Sequence, residues 1–369
     1  MVKNMSELEK TRKKINQIDE QMAKLFEERM VCAKEVAEYK IKHAMGIYDA
    51  SREMEVISRN SLYVQNEEIR EYYVNFLKET MNISKKYQAR LIEGMRVAYS
   101  GVEGAFAHIA AMKMFPKANY VSYPSFEEAY NAVEAGLCDT CVLPLENRYA
   151  GDVGLVMDLI FSGSLYINQV IELEVVHNLL AKKGTSLKDI KKVISHSQAL
   201  SQCMNYLNEK GFELMDAPNT ALASKMVAEA NDNSLASIAS NETAELYGLE
   251  ILEKGINSSH NNTTRFGAFS RCLNNSTSMN KMGEHFILVF TVKNEAGALA
   301  KTLNIIGSHG FNMRSLRSRP MKELIWNYYF YVELEGDINS NEGKDMMRAL
   351  SVFCDKLKLV GTYSYKIEK

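Results

Sequence analysis

Apolar side chains recur every three to four positions at the start of the chain, with Leu8, Ile15, Ile18, Met22, Leu25, Cys32, Val36 and Tyr39 forming one stripe. That is the period of a helix face. Ser6 followed by Glu9 is a capping box, and the pattern predicts one helix from about Ser6 to about His43, roughly 55 Å long. A small domain cannot cover such a length, so the stripe predicts that a partner chain covers the rest. Gly46 ends this helix, and Asp49 or Ser51 caps a second that opens with Arg52 and Glu53. A third, from about Asn66 to about Leu91, carries Tyr73, Leu77, Met81, Ser84, Gln88 and Leu91 along one face.

From Arg96 the period changes. "MRVAYSG" reads as a strand, "GVEG" as a glycine turn and "AFAHIAAMKMF" as a helix, and the alternation continues through "CVLPLEN", "KKVISH" and "SLASIAS". This is an α/β unit. The Asn/Ser-rich stretch "SRCLNNSTSMNKMGE" has no apolar period and marks a boundary. Beyond it, strand "HFILVFTV", helix "AGALAKTLNIIGSHG", strands "FNMRSLRSR" and "NYYFYVELEG", helix "DMMRALSVFCDKL" and strand "LKLVGTYSY" give a β-α-β-β-α-β order. The expected domains are 1–92, 95–272 and 284–369, with a linker over 273–283.

Composition narrows the partners. The chain has 369 residues, 46% hydrophobic and 24% charged, with a formal net charge of -2, so no basic face or tail calls for nucleic acid. The opening "MVKNMSELEK" lacks an apolar signal core, and no window of about eighteen residues is apolar and uncharged. The expectation is a cytoplasmic protein with no membrane partner. The six cysteines read as reduced, mostly buried small hydrophobes. Cys138 and Cys141 lack the second pair that a zinc site needs, so no metal is expected.

The first helix carries cations on its apolar side. Arg29 lies between Leu25 and Cys32, Arg12 four residues after Leu8, and Lys40 four after Val36. Arg12 and Lys40 can snorkel from the stripe edge, whereas a buried Arg29 is costly without an anion. Ser84 and Gln88 also point inward, so the three helices converge cations, carboxylates, a hydroxyl and an amide on a polar pocket for a small anion. The order Arg12, Arg29, Lys40, "DASRE" (Asp49 to Glu53) and "SKKYQ" (Ser84 to Gln88) resembles the all-helical chorismate mutase family, an intertwined dimer of three-helix chains. That resemblance implies that Arg29, with Arg12 of the partner chain, clamps the carboxylates of chorismate. It also implies that Lys40 and Gln88 donate toward the ether oxygen, that Asp49, Glu53 and Ser84 hold the hydroxyl side, and that Arg52 supports them.

In the middle region polar residues gather at presumed strand ends: Glu146 and Asn147, Ser195 and His196, Asn219 and Thr220, and Thr263 to Arg265. Ligands bind at such ends in open α/β sheets, although singly each residue reads equally as a cap, a turn residue or a surface histidine. Together, "GVEGAFAH", "ENRYAGDVG", "SHSQALSQC" and "TTRF" resemble the prephenate dehydratase family, which implies a two-lobed fold like type II periplasmic binding proteins with the site in the cleft. By resemblance Thr264 is the proton donor to the leaving hydroxyl, with Asn147 and Gln202 as its helpers. Glu146, Ser195 and Thr220 complete the site, Arg265 is a structural or carboxylate partner, and Phe266 locks the strand. Val102, Ala105, Ala107 and Ser197 depart from that family's pattern, and Arg148 stands where Ser or Thr is usual, where it pairs with Glu146 or adds to anion binding.

In the last region "GAL" (Gly297, Ala298, Leu299) opens a helix and "RSRP" (Arg317, Ser318, Arg319, Pro320) ends a strand. Both are similar to the motifs by which ACT regulatory domains bind phenylalanine between subunits, with Arg317 in place of that family's glutamate. The full order resembles the bifunctional chorismate mutase/prephenate dehydratases of phenylalanine synthesis. It implies chorismate and prephenate as substrates, phenylalanine as a feedback effector, a homodimer or higher homo-oligomer, and no cofactor. An arogenate-preferring cleft, or a mutase joined to a silent phenylalanine-binding module, are the alternatives.

Overall fold

The computed structural model describes residues 7–149, 151–259, 262–273, 284–321 and 328–366. Ser6 of the predicted capping box and nearly all of the predicted linker lie outside the described residues. The chain divides into two compact units, Met1–Met95 and Arg96–Lys369.

The first unit is three helices: α1 (Glu7–Lys42), α2 (Ala50–Ser61) and α3 (Glu67–Glu93). Their ends follow from local chemistry. Asp49 Oδ1 accepts from the Arg52 amide at 3.0 Å and Asn66 Oδ1 from the Glu68 amide at 3.0 Å, so each carboxylate or amide oxygen satisfies an orphan donor of the first turn. Gly94 ends α3 at φ +88°, a conformation that disfavours a side chain. Buried Ala33 and Ala37 on α1 leave room for α3, whose Leu77 and Met81 are buried. The N-terminal half of the stripe is left open: Ile15 is 51% and Leu25 63% exposed within one chain.

The second unit starts with a lobe made of β1 (Arg96–Ser100), α4 (Phe106–Met114), β2 (Asn119–Tyr123), α5 (Phe126–Glu134), β3 (Thr140–Asn147), β4 (Gly151–Asp152), α6 (Gly154–Ser162) and β5 (Tyr166–Glu174). The chain then crosses to a second lobe, built from β6 (Asn178–Ala181), β7 (Lys192–Ser195), α7 (Ser197–Gln202), α8 (Met204–Lys210), β8 (Glu213–Asp216), α9 (Thr220–Glu229), β9 (Leu235–Ala239), α10 (Asn241–Tyr247) and β10 (Glu250–Glu253). These strands form a sheet in the order β10-β6-β9-β7-β8. The return crossing brings β11 (Thr263–Ser270) back between β5 and β3. Two crossings between two lobes leave a cleft at strand ends, as the resemblance implied.

The last region comprises β12 (Glu284–Val292), α11 (Ala298–Ser308), β13 (Asn312–Pro320), β14 (Tyr328–Glu335), α12 (Asn341–Phe353) and β15 (Cys354–Lys366). One expected boundary moves: the helix read through Leu357 stops at Phe353, because Cys354, Lys356 and Leu357 pair with Val292, Thr291 and Phe290 of β12. Sheet pairing overrides local helix preference there.

This region is not a free-standing module. β15 pairs in parallel with β5, so one sheet runs β13-β14-β12-β15-β5-β11-β3-β1-β2. One face of the strands β12 to β14 packs on α11 and α12 through Phe286, Leu288, Phe290, Val332 and Leu334. The other face adds Ile287, Val289, Tyr329, Tyr331, Val360 and Tyr363 to the core of the first lobe. Cys138 and Cys141 are buried in that same core, which is the small-hydrophobe reading, whereas Cys32 and Cys272 are exposed.

Gly361 sits where the two sheets join, opposite Ile167. A Cβ there would overlap the Ile167 carbonyl, a backbone atom that cannot swing aside. Gly361→Ala is therefore expected to destabilise the second unit by about 2 kcal/mol or more, as overpacking does. A urea midpoint equal to that of the parent would show that the β15–β5 seam contributes little.

Candidate active sites

In the helical unit, α1 and α3 face each other across the predicted polar pocket. Arg29 donates to Ser84 Oγ and to the Thr80 carbonyl at 3.3 Å. Lys40 Nζ donates to Gln88 Oε1 at 3.2 Å and to the Ile47 carbonyl at 2.6 Å. Ser84 and Gln88 are buried. Since Gln88 Oε1 accepts from Lys40, the Gln88 amide N–H groups remain as donors. Burial lowers the Arg29 pKa from its ordinary value, yet a guanidinium keeps its charge in proteins.

The "DASRE" residues are placed around this core. Glu53 pairs with Lys85 at 2.7 Å, Asp49 caps α2, and Arg52 reaches Glu55 at 2.7 Å on the exposed side. Arg12 lies 17 residues before Arg29 on the same helix, roughly 25 Å along its axis. One chain therefore cannot bring these two cations together.

Between the lobes lies a cleft of about 510 Å³. Asn147, Thr264, Gln202 and Thr220 line it, as do Asn219, His196, His177, Asn262 and Asp152. Thr264 and Asn147 are direct cross-strand partners on β11 and β3, so the pairing itself delivers two side chains to one spot. Asn147 Nδ2 donates to Thr264 Oγ1 at 2.8 Å and to Asn262 Oδ1 at 3.1 Å. Asn262 Nδ2 donates to Gln202 Oε1 at 3.0 Å, which also lies 2.8 Å from His177 Nε2. Gln202 thus supports Thr264 through Asn262 and Asn147, not by touching it.

An amide oxygen only accepts, so His177 Nε2 carries the proton and Nδ1 is bare. That Nδ1 is buried without a hydrogen-bond partner, and burial lowers the His177 pKa. His196 and Asn219 keep their capping roles on α7 and α9 while lining the cleft.

Three expected members stand elsewhere. Ser195 is fully buried and donates to the Ile238 carbonyl at 2.8 Å, which ties β7 to β9. Glu146 and Arg265 are also cross-strand partners, but alternation turns both away from the cleft. Arg265 takes the structural role: it forms a bidentate pair with Glu333 at 2.9 Å and 2.9 Å and donates to the Tyr363 hydroxyl at 2.9 Å. The Glu146 carboxylate meets Arg317 at 2.7 Å and Arg265 at 3.5 Å, so it is these cations and not Arg148 that neutralise it. Arg148 is exposed, and its backbone amide donates to Thr263.

The two regulatory motifs also separate. Gly297 caps α11 at φ +81°, which a side chain would disfavour. On β13, Arg317 and Arg319 face the first lobe, where Arg317 binds Glu146 and also Asp152 at 2.8 Å, and Arg319 binds Asp158 at 3.2 Å. Ser318 pairs with Phe330 on the opposite, helix-covered face.

His177, Asn262, Asp152 and Glu333 are the residues that sequence reasoning missed. Asn262 had a signal, since it is two residues before Thr264 and period-two alternation puts both on one face. Asp152 is brought opposite Glu146 by the local β3–β4 hairpin, whereas His177 and Glu333 join only through the crossings between lobes and the merged sheet.

The structure thus defines a chain with two candidate small-molecule sites of different construction, one helical and cationic, one a cleft lined mainly by neutral polar groups, and a ferredoxin-like module fused to the second. Residues 11–89 match the family described as chorismate mutase type II, 97–272 prephenate dehydratase and 286–345 the ACT domain. A bifunctional chorismate mutase/prephenate dehydratase of Aquifex aeolicus is 30% identical over 97% of this chain and 98% of its own length. An arogenate dehydratase/prephenate dehydratase of Arabidopsis thaliana is 33% identical over 73% of this chain and 72% of its own. The fold is that of a prephenate dehydratase from Arthrobacter aurescens, at TM-score 0.67 and 24% identity over 73% of this chain and 90% of that one. The chain belongs to the bifunctional chorismate mutase/prephenate dehydratases.

Burial depresses the pKa of His108, His177 and His285 below the ordinary 6.5. The unfolded chain therefore takes up protons first as pH falls, and the second unit should lose stability below about pH 6.5. A denaturant midpoint that drops between about pH 8 and about pH 5.5 is the expected result; an unchanged midpoint would mean that these imidazoles are freely solvated, and a higher one that the fold favours their charged form.

Proposed function

We propose that the helical unit converts chorismate to prephenate and that the cleft converts prephenate to phenylpyruvate, with the residues acting as follows. The first reaction breaks an ether C–O bond and forms a C–C bond without proton transfer, so the site has only to hold the reactive conformer and stabilise charge on the ether oxygen. Arg29 binds one substrate carboxylate, and Arg12 of a second copy of this chain binds the other. Lys40 and the Gln88 amide donate to the ether oxygen, while Asp49, Glu53 and Ser84 hold the hydroxyl side and Arg52 stays behind them. The open apolar stripe of α1 supports a homodimer, because it is long enough to accept a second copy along its length.

In the cleft, the bond from the ring to its carboxylate breaks, carbon dioxide leaves, and the released electron pair makes the ring aromatic as hydroxide departs. Hydroxide is a poor leaving group unless protonated. The observation that carries this reading is the Asn147-to-Thr264 hydrogen bond. Because Asn147 donates to Oγ1, the threonine's own proton is directed away from it, toward a ligand in the cleft, and Thr264 supplies it to the departing oxygen to give water. Thr220, Asn219 and the Gln202 amide bind the substrate carboxylates, using the N-terminus of α9. Phenylalanine is the feedback effector, held at Gly297, Ala298 and Leu299 and at the Ser318 and Pro320 side of β13. The relative matched over its whole length is named a bifunctional chorismate mutase/prephenate dehydratase, and a chain that makes its own prephenate supports prephenate over arogenate as the cleft's substrate.

Arg29→Ala should reduce chorismate consumption by about 100-fold or more while prephenate turnover persists. Thr264→Val should do the reverse, leaving chorismate consumed and prephenate accumulating. Phenylpyruvate formed by Thr264→Val at the parent rate would remove this residue from the chemistry, and equal loss of both activities in Arg29→Ala would point to misfolding. The mutase rate should be nearly flat over the neutral range, since Gln88 does not titrate.

A further inference from the structure

The two strands that carry the chemistry of the cleft are gripped from behind. On β11 and β3, Thr264 pairs with Asn147 on the cleft face, and the very next pair, Arg265 with Glu146, lies on the other face. Both members of that rear pair are held by the regulatory sheet: Arg265 by Glu333 of β14, and Glu146 by Arg317 of β13. Arg317 has a second hold, since its Nε lies 2.8 Å from Asp152 Oδ1, and Asp152 belongs to the cleft wall. One planar guanidinium therefore spans β3 and β4, the segments on either side of the turn that follows Asn147.

The cluster is poorly hydrated. The Glu333 side chain is 0% and that of Arg265 13% exposed, while the Arg317 side chain is 16% exposed and its guanidinium carbon stands 5.5 Å from the Tyr331 ring centroid. Charges in such a place depend on one another. Arg265 is already committed to Glu333 through both terminal nitrogens and reaches Glu146 only at 3.5 Å, so without Arg317 the Glu146 and Asp152 carboxylates would face each other with that longer contact and solvent as their main compensation.

We propose that Arg317 is a positioning residue of the dehydratase cleft, reaching from the regulatory sheet to hold Glu146 and Asp152 and so to set where Asn147 presents its amide to Thr264. This rests on the reading of the cleft as the dehydratase site. It departs from the effector role that the position of Arg317 in the "RSRP" motif implied, and it makes the regulatory sheet a structural part of the cleft. A displacement of β13 is delivered to the proton donor through two ion pairs and one cross-strand step.

The test is dehydration kinetics in the full chain, with chorismate consumption as an internal control because the helical unit contains none of these residues. Arg317→Met should lower kcat for prephenate by about 10- to 100-fold, the scale of a small misplacement of a catalytic group, with KM within about threefold and the mutase rate unchanged. Arg317→Lys, which keeps the charge but not the fork, should recover part of the loss. In Arg317→Met combined with Glu146→Gln, the losses should overlap, not multiply. If Arg317→Met fails to fold, Glu146→Gln alone decides: a comparable fall in kcat at constant KM supports the proposal, and an unchanged kcat overturns it. Parent-like kcat in Arg317→Met, with only the phenylalanine response altered, would return Arg317 to the effector site and overturn it, as would multiplicative losses. Thr264→Val serves as the reference: if it still dehydrates prephenate, the reading of the cleft fails; if it is inactive and Arg317→Met is not impaired, only this inference fails.

Discussion

Period-two alternation on β11 puts a hydroxyl and a guanidinium one residue apart on opposite sides of the same sheet. Thr264 faces the cleft and Arg265 faces the regulatory strands, where it meets a carboxylate with no solvent contact. Neither can shift without the other, because the backbone between them is hydrogen-bonded to β3 on one side and β5 on the other. The second unit is organised around this strand. Its neighbours supply the partners of Thr264 from the front and those of Arg265 from the back. The departure of Arg148 from the dehydratase pattern is tolerated for the same reason, since its side chain is exposed and Glu146 finds its cations among residues far along the chain.

The two sites solve different electrostatic problems. Chorismate brings its charge with it, so the helical pocket offers fixed cations, and their cost when empty is reduced by local acceptors: Ser84 and the Thr80 carbonyl for Arg29, Gln88 and the Ile47 carbonyl for Lys40. Those acceptors also aim the donors, which removes reorganisation from the reaction itself. In the cleft the proposed demand is a proton delivered to one oxygen, and the chain of amides from Gln202 through Asn262 and Asn147 ends on the Thr264 hydroxyl that would deliver it. His177 ends that chain with a buried imidazole whose pKa burial lowers, which favours its neutral form.

Much of this was legible in the sequence where chemistry is local. The apolar stripe gave α1 to within a residue of its ends, and the capping residues Asp49 and Asn66 behaved as their types predict. The resemblance to the dehydratase motifs named Thr264 and Asn147, and the pairing of β11 with β3 makes these members of two motifs neighbours in space. What stayed hidden depends on tertiary arrangement. Alternation separates Glu146 and Arg265 from their own motif neighbours, and only the register of β11 with β3 shows which residue of each pair faces the cleft. Ser195 reads as a cleft residue from its strand-end position, yet its hydroxyl is consumed by the next strand. Glu333 carried no signal at all, since an acidic residue in "YVELEG" reads as solvent-facing until β15 places that sheet against the first lobe.

The join between β15 and β5 has a consequence for how the molecule is made. β15 is the last strand in chain order, but it lies in the middle of its sheet, between β12 and β5. A ribosome releasing the chain from its N-terminus completes the mutase helices and both lobes of the cleft while β5 still presents an unpaired edge, the kind of edge that recruits other strands. That edge closes only when β15 emerges and docks. The region that matches the ACT domain is thus also the part whose arrival ends the exposure of the nascent enzyme.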